Sequence, residues 1–177
     1  KTLTALWIYE ALSPDLAVVA LPSLSLMQQT LDVWSTQART GFKAISICSD
    51  DSVAPGQDSL ISSVLDLGIP VTTNLESLKA EIDTTRPKVI FTTYASFPVL
   101  CDLLSAAELV PDLTVADEAH RTVGQKGSRS TLIHDKKRFR SDKTLFLTAT
   151  PRVVVTREAE EDLDAELASM DDPEIFG

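Results

Sequence analysis

The chain has 177 residues, 44% of them apolar and 24% charged, and its mean hydropathy lies near zero, the profile of one ordinary folded domain with enough apolar side chains for a proper core. The formal net charge of −10 argues against bulk electrostatic binding of nucleic acid, which needs a basic face to displace phosphate counterions, yet it leaves room for a local groove of hydroxyls and backbone amides. No apolar run approaches the roughly 18 residues of a membrane span, and no small-residue cleavage pattern follows the short apolar stretch Trp7 to Leu12, so the expectation is a cytoplasmic protein with no membrane partner.

Lys1-Thr2 leads into a helix-like stretch, Leu3 to Leu12, as the tail of a phosphate-binding loop runs into its helix. In a complete loop, Gly-x-x-x-x-Gly-Lys-[Ser/Thr], backbone N–H groups surround the phosphates, the lysine reaches the β and γ phosphates and the hydroxyl ligates Mg²⁺. The glycines are absent here, and an isolated Lys-Thr dipeptide is common; only a downstream partner gives it meaning. With that partner, the expectation is a chain that starts inside its own nucleotide-binding loop.

Short apolar runs follow at Ala17–Leu21, Ala44–Cys48, Ile69–Thr72, Val89–Thr92, Leu113–Ala116 and Thr144–Leu147. Each is apolar on both faces, as parallel strands covered by helices should be. Between them, Ser23–Gln37 places Leu24, Met27, Leu31 and Trp34 on one helical face, and Leu75–Ile82 and Ala95–Ala106 behave similarly. Residues 50–68 break the rhythm with Asp, Ser, Pro and Gly and read as a surface excursion holding one short helix. After Pro151 the strands stop in this reading; Thr156–Met170 reads as an acidic exposed helix, and Asp171-Asp172-Pro173 as the beginning of a linker. Strand–helix alternation of this kind predicts an α/β fold, a doubly wound and mostly parallel sheet with helices on both faces, whose ligands bind beyond the carboxyl ends of the strands.

Asp117-Glu118-Ala119-His120 stands at such an end, directly after Leu113–Ala116. Adjacent carboxylates at a strand end suit a nucleotide-bound magnesium ion, the first holding Mg²⁺ and the second orienting or deprotonating the water that attacks a γ-phosphate. The alternative is a solvated acidic turn in a chain rich in Asp and Glu. Cys48 and Cys101 lie far apart in apolar runs and read as buried free thiols rather than a disulfide. His120 and His134 have no paired cysteines nearby, which excludes zinc. Lys136, Lys137, Arg138, Arg140 and Lys143 form a basic cluster for which a solvated face is the simpler reading.

Lys1-Thr2, Asp117-Glu118-Ala119-His120 and Thr148-Ala149-Thr150 occur in that order, and the set resembles the first RecA-like domain of superfamily 2 helicases of the DEAD/DEAH kind, a P-loop NTPase fold. Leu21-Pro22-Ser23, with Gln28 on the helix beyond, looks like that family's motif Ia, and Phe91-Thr92-Thr93-Tyr94-Ala95-Ser96 like its segment that touches the nucleic-acid backbone. The resemblance runs from residue 1 to about residue 152. It implies ATP and Mg²⁺, with Lys1 on the phosphates, Thr2 and Asp117 on the metal, Glu118 on the attacking water, and His120 near the hydroxyls of Thr148 and Thr150 to link nucleotide state to the domain interface. Pro22, Ser23, Gln28, Thr92, Thr93 and Ser96 are then candidates for phosphate or sugar contacts, which position a strand without reading bases. Ser23 and Ser96 also suit helix capping, and Tyr94 suits either a stacked base or the core.

By this resemblance residues 1–155 form the ATP-binding domain, and residues 156–177 an acidic helix and linker toward a second RecA-like domain. Asp-Glu-Ala-His followed by Arg121, with Thr-Ala-Thr-Pro-Arg ending at Arg152, looks more like bacterial DNA helicases and restriction motors than RNA helicases, so DNA is expected over RNA. The chain departs from the family in lacking the loop glycines and the second domain with its arginine fingers. Alone it is expected to be catalytically silent, the activity belonging to a longer parent. An RNA helicase, a nucleotide-gated clamp or scaffold that does not unwind, and a degenerate interaction domain are the rival readings.

Overall fold

The computed structural model describes residues 1–48, 74–82, 87–125, 129–151, 167–168 and 170–176. Helix α1 (Thr2–Leu12) is followed by β1 (Leu16–Leu21), α2 (Leu24–Gln37) and β2 (Lys43–Ile47); α3 (Leu75–Ile82), β3 (Lys88–Thr93), α4 (Phe97–Ala106) and β4 (Leu113–Asp117) come next. Beyond them lie β5 (Gly124–Gln125), β6 (Lys143–Leu147), β7 (Leu167–Ala168) and α5 (Pro173–Phe176). Five strands form one sheet in the order β2-β3-β1-β4-β6, every pairing parallel. The expected α/β class and helix-covered parallel sheet are present.

Successive residues of a strand point to opposite faces, and β1 divides its side chains accordingly. Ala17, Val19 and Leu21 join Val89, Phe91, Leu113 and Val115 in one apolar layer, covered by Leu6 and Tyr9 of α1 and by Met27, Leu31 and Trp34 of α2. Leu16, Val18 and Ala20 join Ile45, Ile47, Ile90 and Ala116 in the other, covered by Leu78 of α3 and Leu100 and Leu104 of α4. All six residues of β1 are buried, which is why this strand carries no polar side chain. Ser23 caps α2 by accepting from the Leu26 N–H at 3.3 Å, satisfying a donor the helix itself cannot.

Parallel register brings the carboxyl ends into line: Leu21 stands beside Thr93, Ala20 beside Ala116, and Asp117 beside Leu147. Each candidate motif therefore leaves the sheet at the same edge.

Several expectations need correction. Ala95–Ala106 is divided: Tyr94–Ser96 is a 3₁₀ turn whose Ser96 N–H bonds Thr93 Oγ1 at 3.3 Å, and α4 starts at Phe97 with Pro98 in its first turn. Ser96 stands at the N-cap of α4 but makes no side-chain capping bond to it. Strands do not stop at Pro151, since β7 pairs antiparallel with β5. Asp171-Asp172-Pro173 leads into a short helix: the Asp172 carbonyl accepts from the Phe176 N–H at 2.9 Å to close α5, with Pro173 opening the helix where a missing N–H costs nothing. Phe176 then packs on His134 and Phe146. The expected excursion at 50–68, the strand at 69–72 and the acidic helix up to residue 166 fall outside the described residues. Cys48 and Cys101 are buried free thiols, as expected.

Candidate active site

Strand β4 ends because Glu118 turns the chain through the left-handed region, at φ 51° and ψ 47°, a conformation that costs a non-glycine residue about 1 kcal/mol or more. Two hydrogen bonds hold the peptide that makes this turn. Tyr94 Oη donates to the Asp117 carbonyl at 2.7 Å, and the Glu118 N–H donates to Asp117 Oδ1 at 2.9 Å. Beyond the turn, Ala119–Thr122 forms a 3₁₀ helix, in which Thr122 Oγ1 donates to the Ala119 carbonyl at 2.8 Å.

The Lys1 ammonium reaches this point from the start of α1. It donates to Glu118 Oε1 and lies 3.9 Å from Asp117 Oδ1, and the side chains are 33%, 25% and 13% exposed for Lys1, Glu118 and Asp117. The Lys1 hydrogen bond holds the Glu118 carboxyl below the usual carboxylate range, outweighing the opposite push of partial burial, and nearby positive charge, Arg121 included, adds to the effect. Burial, reinforced by the Asp117 and Glu118 charges, pushes the Tyr94 hydroxyl well above its ordinary value, so it remains a donor at every physiological pH.

His120 Nδ1 sits between two oxygens, Glu118 Oε2 at 3.3 Å and Thr148 Oγ1 at 3.1 Å. The Thr148 hydroxyl donates to the Thr150 carbonyl at 3.2 Å, so the proton between ring and hydroxyl belongs to Nδ1. The imidazole thus ties the end of β4 to the end of β6.

The remaining candidates divide by exposure. Lys1, Asp117, Glu118, His120 and Thr148 converge; Ala149 and Thr150 are exposed just beyond, and Thr2 contributes its carbonyl to Trp34 Nε1 at 3.3 Å. Pro22, Ser23 and Gln28 are half-buried on the same sheet edge. Gln28 donates to Asp32 Oδ1 at 2.8 Å, while its own Oε1 is buried without a partner among the described residues. Thr92, Thr93 and Ser96 are buried, and their hydroxyls bond inward: Thr92 Oγ1 to the Ile47 carbonyl at 2.8 Å and Thr93 Oγ1 to Ser96 Oγ at 3.1 Å. In this conformation the Thr92 hydroxyl ties β3 to β2, and those of Thr93 and Ser96 bond each other within the turn. Tyr94, left open between a stacked base and the core, is a core ring at 5% exposure. A concave surface of about 800 Å³, lined by His134, Phe139, Arg140 and Phe146 among others, runs instead from the amino ends of β4 and β6; converging charge, not concavity, marks the site.

Sequence reasoning missed two supports of the acidic turn. Besides Tyr94, His134 Nε2 lies 2.9 Å from Thr122 Oγ1. Because that hydroxyl's proton goes to Ala119, the ring must be the donor, and Nδ1 is left buried with no partner among the described residues. Only the aromatic neighbours at positions 146 and 176 could have hinted at it, and they are distant in sequence.

A parallel sheet in the order β2-β3-β1-β4-β6, with an acidic pair at the end of β4 and a histidine–threonine link to β6, defines a RecA-like domain of the superfamily 2 helicase-related class. The family model for the type III restriction enzyme res subunit matches residues 1–153, and the chain belongs to that family. Two solved structures share the fold. A nuclease-deletion mutant of the Type ISP restriction-modification enzyme LlaGI, in complex with a DNA substrate mimic, superposes with a TM-score of 0.73 at 25% identity, covering 100% of this chain and 14% of that one. The ATP-dependent Type ISP enzyme LlaBIII bound to DNA superposes with a TM-score of 0.75 at 24% identity, covering 99% and 12%. The chain thus spans only a small part of either enzyme's length. The comparison with curated proteins found no match.

Proposed function

We propose that residues 1–155 are the first motor domain of an ATP-dependent DNA helicase or translocase of a restriction system. The observation that carries this reading is the convergence of Lys1 on Asp117 and Glu118, across 117 positions of sequence, at the edge where an α/β sheet binds its ligand. Lys1 cannot neutralise Glu118 and a phosphate at once, so nucleotide binding exchanges one partner for the other. Released from Lys1, Glu118 orients the water that attacks the γ-phosphate, and His120, shared with Thr148, passes the loss of that phosphate to Thr148-Ala149-Thr150 and onward to a second RecA-like domain.

Asp117 and Thr2 would hold Mg²⁺. Among the described residues no group of three or more His, Cys, Asp or Glu could hold a metal ion, but Mg²⁺ needs none, since it keeps several waters and takes one or two carboxylates beside substrate phosphates. Once bound, the ion supplies charge neutralisation at the phosphate oxygens. Pro22, Ser23 and Gln28 are the contacts nearest a nucleic-acid backbone, with Thr92, Thr93 and Ser96 setting the shape of the adjacent turn. DNA is favoured over RNA because both structural relatives are DNA complexes.

Steady-state ATP hydrolysis by the full-length protein, alone and with single-stranded DNA, duplex DNA or RNA, tests this. DNA should stimulate turnover more than RNA, and Glu118→Gln should lower turnover by about 100-fold or more with nucleotide binding retained. Near-normal hydrolysis by Glu118→Gln would sink the role given to that residue. Turnover indifferent to every nucleic acid would replace the motor with a nucleotide-gated clamp.

A further inference from the structure

Tyr94, in the segment Phe91–Ser96 at the end of β3, lies two strands away from the acidic pair in the order β3-β1-β4. Its ring opens the 3₁₀ turn after β3, crosses the end of β1, and delivers its hydroxyl to the Asp117 carbonyl at 2.7 Å, a span of two interstrand spacings, or about 10 Å. The same peptide offers its N–H to Asp117 Oδ1 at 2.9 Å. Both polar atoms of the Asp117–Glu118 peptide are therefore fixed, in the one unit whose orientation sets where the Glu118 carboxylate points. Since Glu118 sits in the left-handed region, that orientation is not one the local chain prefers. The N–H tether comes from the acidic pair itself, whereas Tyr94 tethers the carbonyl from the end of another strand.

We propose that Tyr94 is a positioning residue for Glu118: its hydroxyl holds the Asp117–Glu118 peptide so that the carboxylate is aimed at the attacking water. The inference rests on the hydrolytic role proposed for Glu118. Tyr94→Phe keeps the buried ring and removes only the donor, so packing survives while the peptide is free to tilt. Misplacing a reacting group by a fraction of an ångström is felt in turnover rather than in ground-state binding.

The test compares wild type, Tyr94→Phe, Glu118→Gln and the double variant in the full-length protein, measuring kcat and KM for ATP with saturating DNA, nucleotide affinity and thermal midpoint. Tyr94→Phe should lower kcat by about tenfold with KM, affinity and thermal midpoint close to wild type. In the Glu118→Gln background the same change should lower residual turnover no further, because the group it aims is already gone. Unchanged kcat in Tyr94→Phe, or an equal loss in both backgrounds, overturns the inference, as does a loss matched by weakened binding or a fallen midpoint, which would mark Tyr94 as structural only. If Glu118→Gln itself turns over normally, the hydrolytic reading fails first and the two failures are told apart.

Discussion

His134 shows how one side chain outside the motifs can set the conditions under which a site holds together. Its Nε2–H donates to Thr122, its Nδ1 is buried with no partner among the described residues, and its ring stacks on Phe146 at a centroid distance of 5.3 Å and meets Phe176 in a tilted pair at 4.6 Å. Burial is the main reason its pKa falls from 6.5 to about 4, the Thr122 hydrogen bond acting the other way. Above pH 6.5 neither the folded nor the unfolded chain protonates this ring, and its contribution is fully present. As the pH falls toward 4 the unfolded chain takes up the proton and the folded one does not, so stability declines through that window. The loss should reach roughly 2 kcal/mol by pH 5, at about 1.4 kcal/mol per unit. Urea denaturation at pH 7 and pH 5 measures it, with His134→Gln expected to lose correspondingly less; equal losses in both proteins would show that other groups set the acid lability. None of this was legible in sequence, where His134 served only to discount zinc. Likewise, hydroxyl-rich strand ends such as Thr92-Thr93 read alike whether their side chains face a ligand or, as here, the fold itself.

Among the elements, α2 was the most legible because its apolar side chains recur at helical spacing and its cap is a serine. Leu24, Met27, Leu31 and Trp34 are all buried. What the period cannot convey is that Trp34 also organises α1. Its indole N–H reaches the Thr2 carbonyl at 3.3 Å, and its ring meets Tyr9, Phe42 and Phe91 at 5.3, 6.0 and 5.8 Å. Replacing Trp34 with Ala should cost about 3–5 kcal/mol, the usual range for deleting a buried aromatic ring, while Trp34→Phe should keep part of the packing and lose the tie to the first turn of α1. Chemical denaturation followed by far-UV circular dichroism gives both numbers, and a cost under about 1 kcal/mol for the alanine variant would contradict the packing described. The strands were legible from their apolar runs, but their order was not, because parallel neighbours are chosen by partners distant in sequence. The small sheet of β5 and β7 was invisible for the same reason, each strand being two residues long, too short for a period to register.

At the scale of the whole molecule, one sheet carries two apolar layers, and each holds one cysteine. Cys48 belongs to the layer under α1 and α2, and Cys101 to the layer under α4. Both are 2% exposed, and burial pushes both thiols up to about 11, so the reactive thiolate is scarce and shielded in the folded state. The layers share their strands: Ala17 and Val19 face one side of β1, Val18 and Ala20 the other, and a strand cannot leave one layer without leaving the other. Opening should therefore be cooperative across the sheet rather than separate on its two faces. Pulsed thiol labelling in increasing urea, with the two sites resolved by peptide mass, puts this to the test. Cys48 and Cys101 should become reactive together, with the same midpoint as the loss of secondary structure. If Cys101 labels at lower urea than Cys48, the α4 face opens on its own, and the support that Tyr94, at the head of that helix, gives to the acidic turn is lost before the rest of the sheet unfolds.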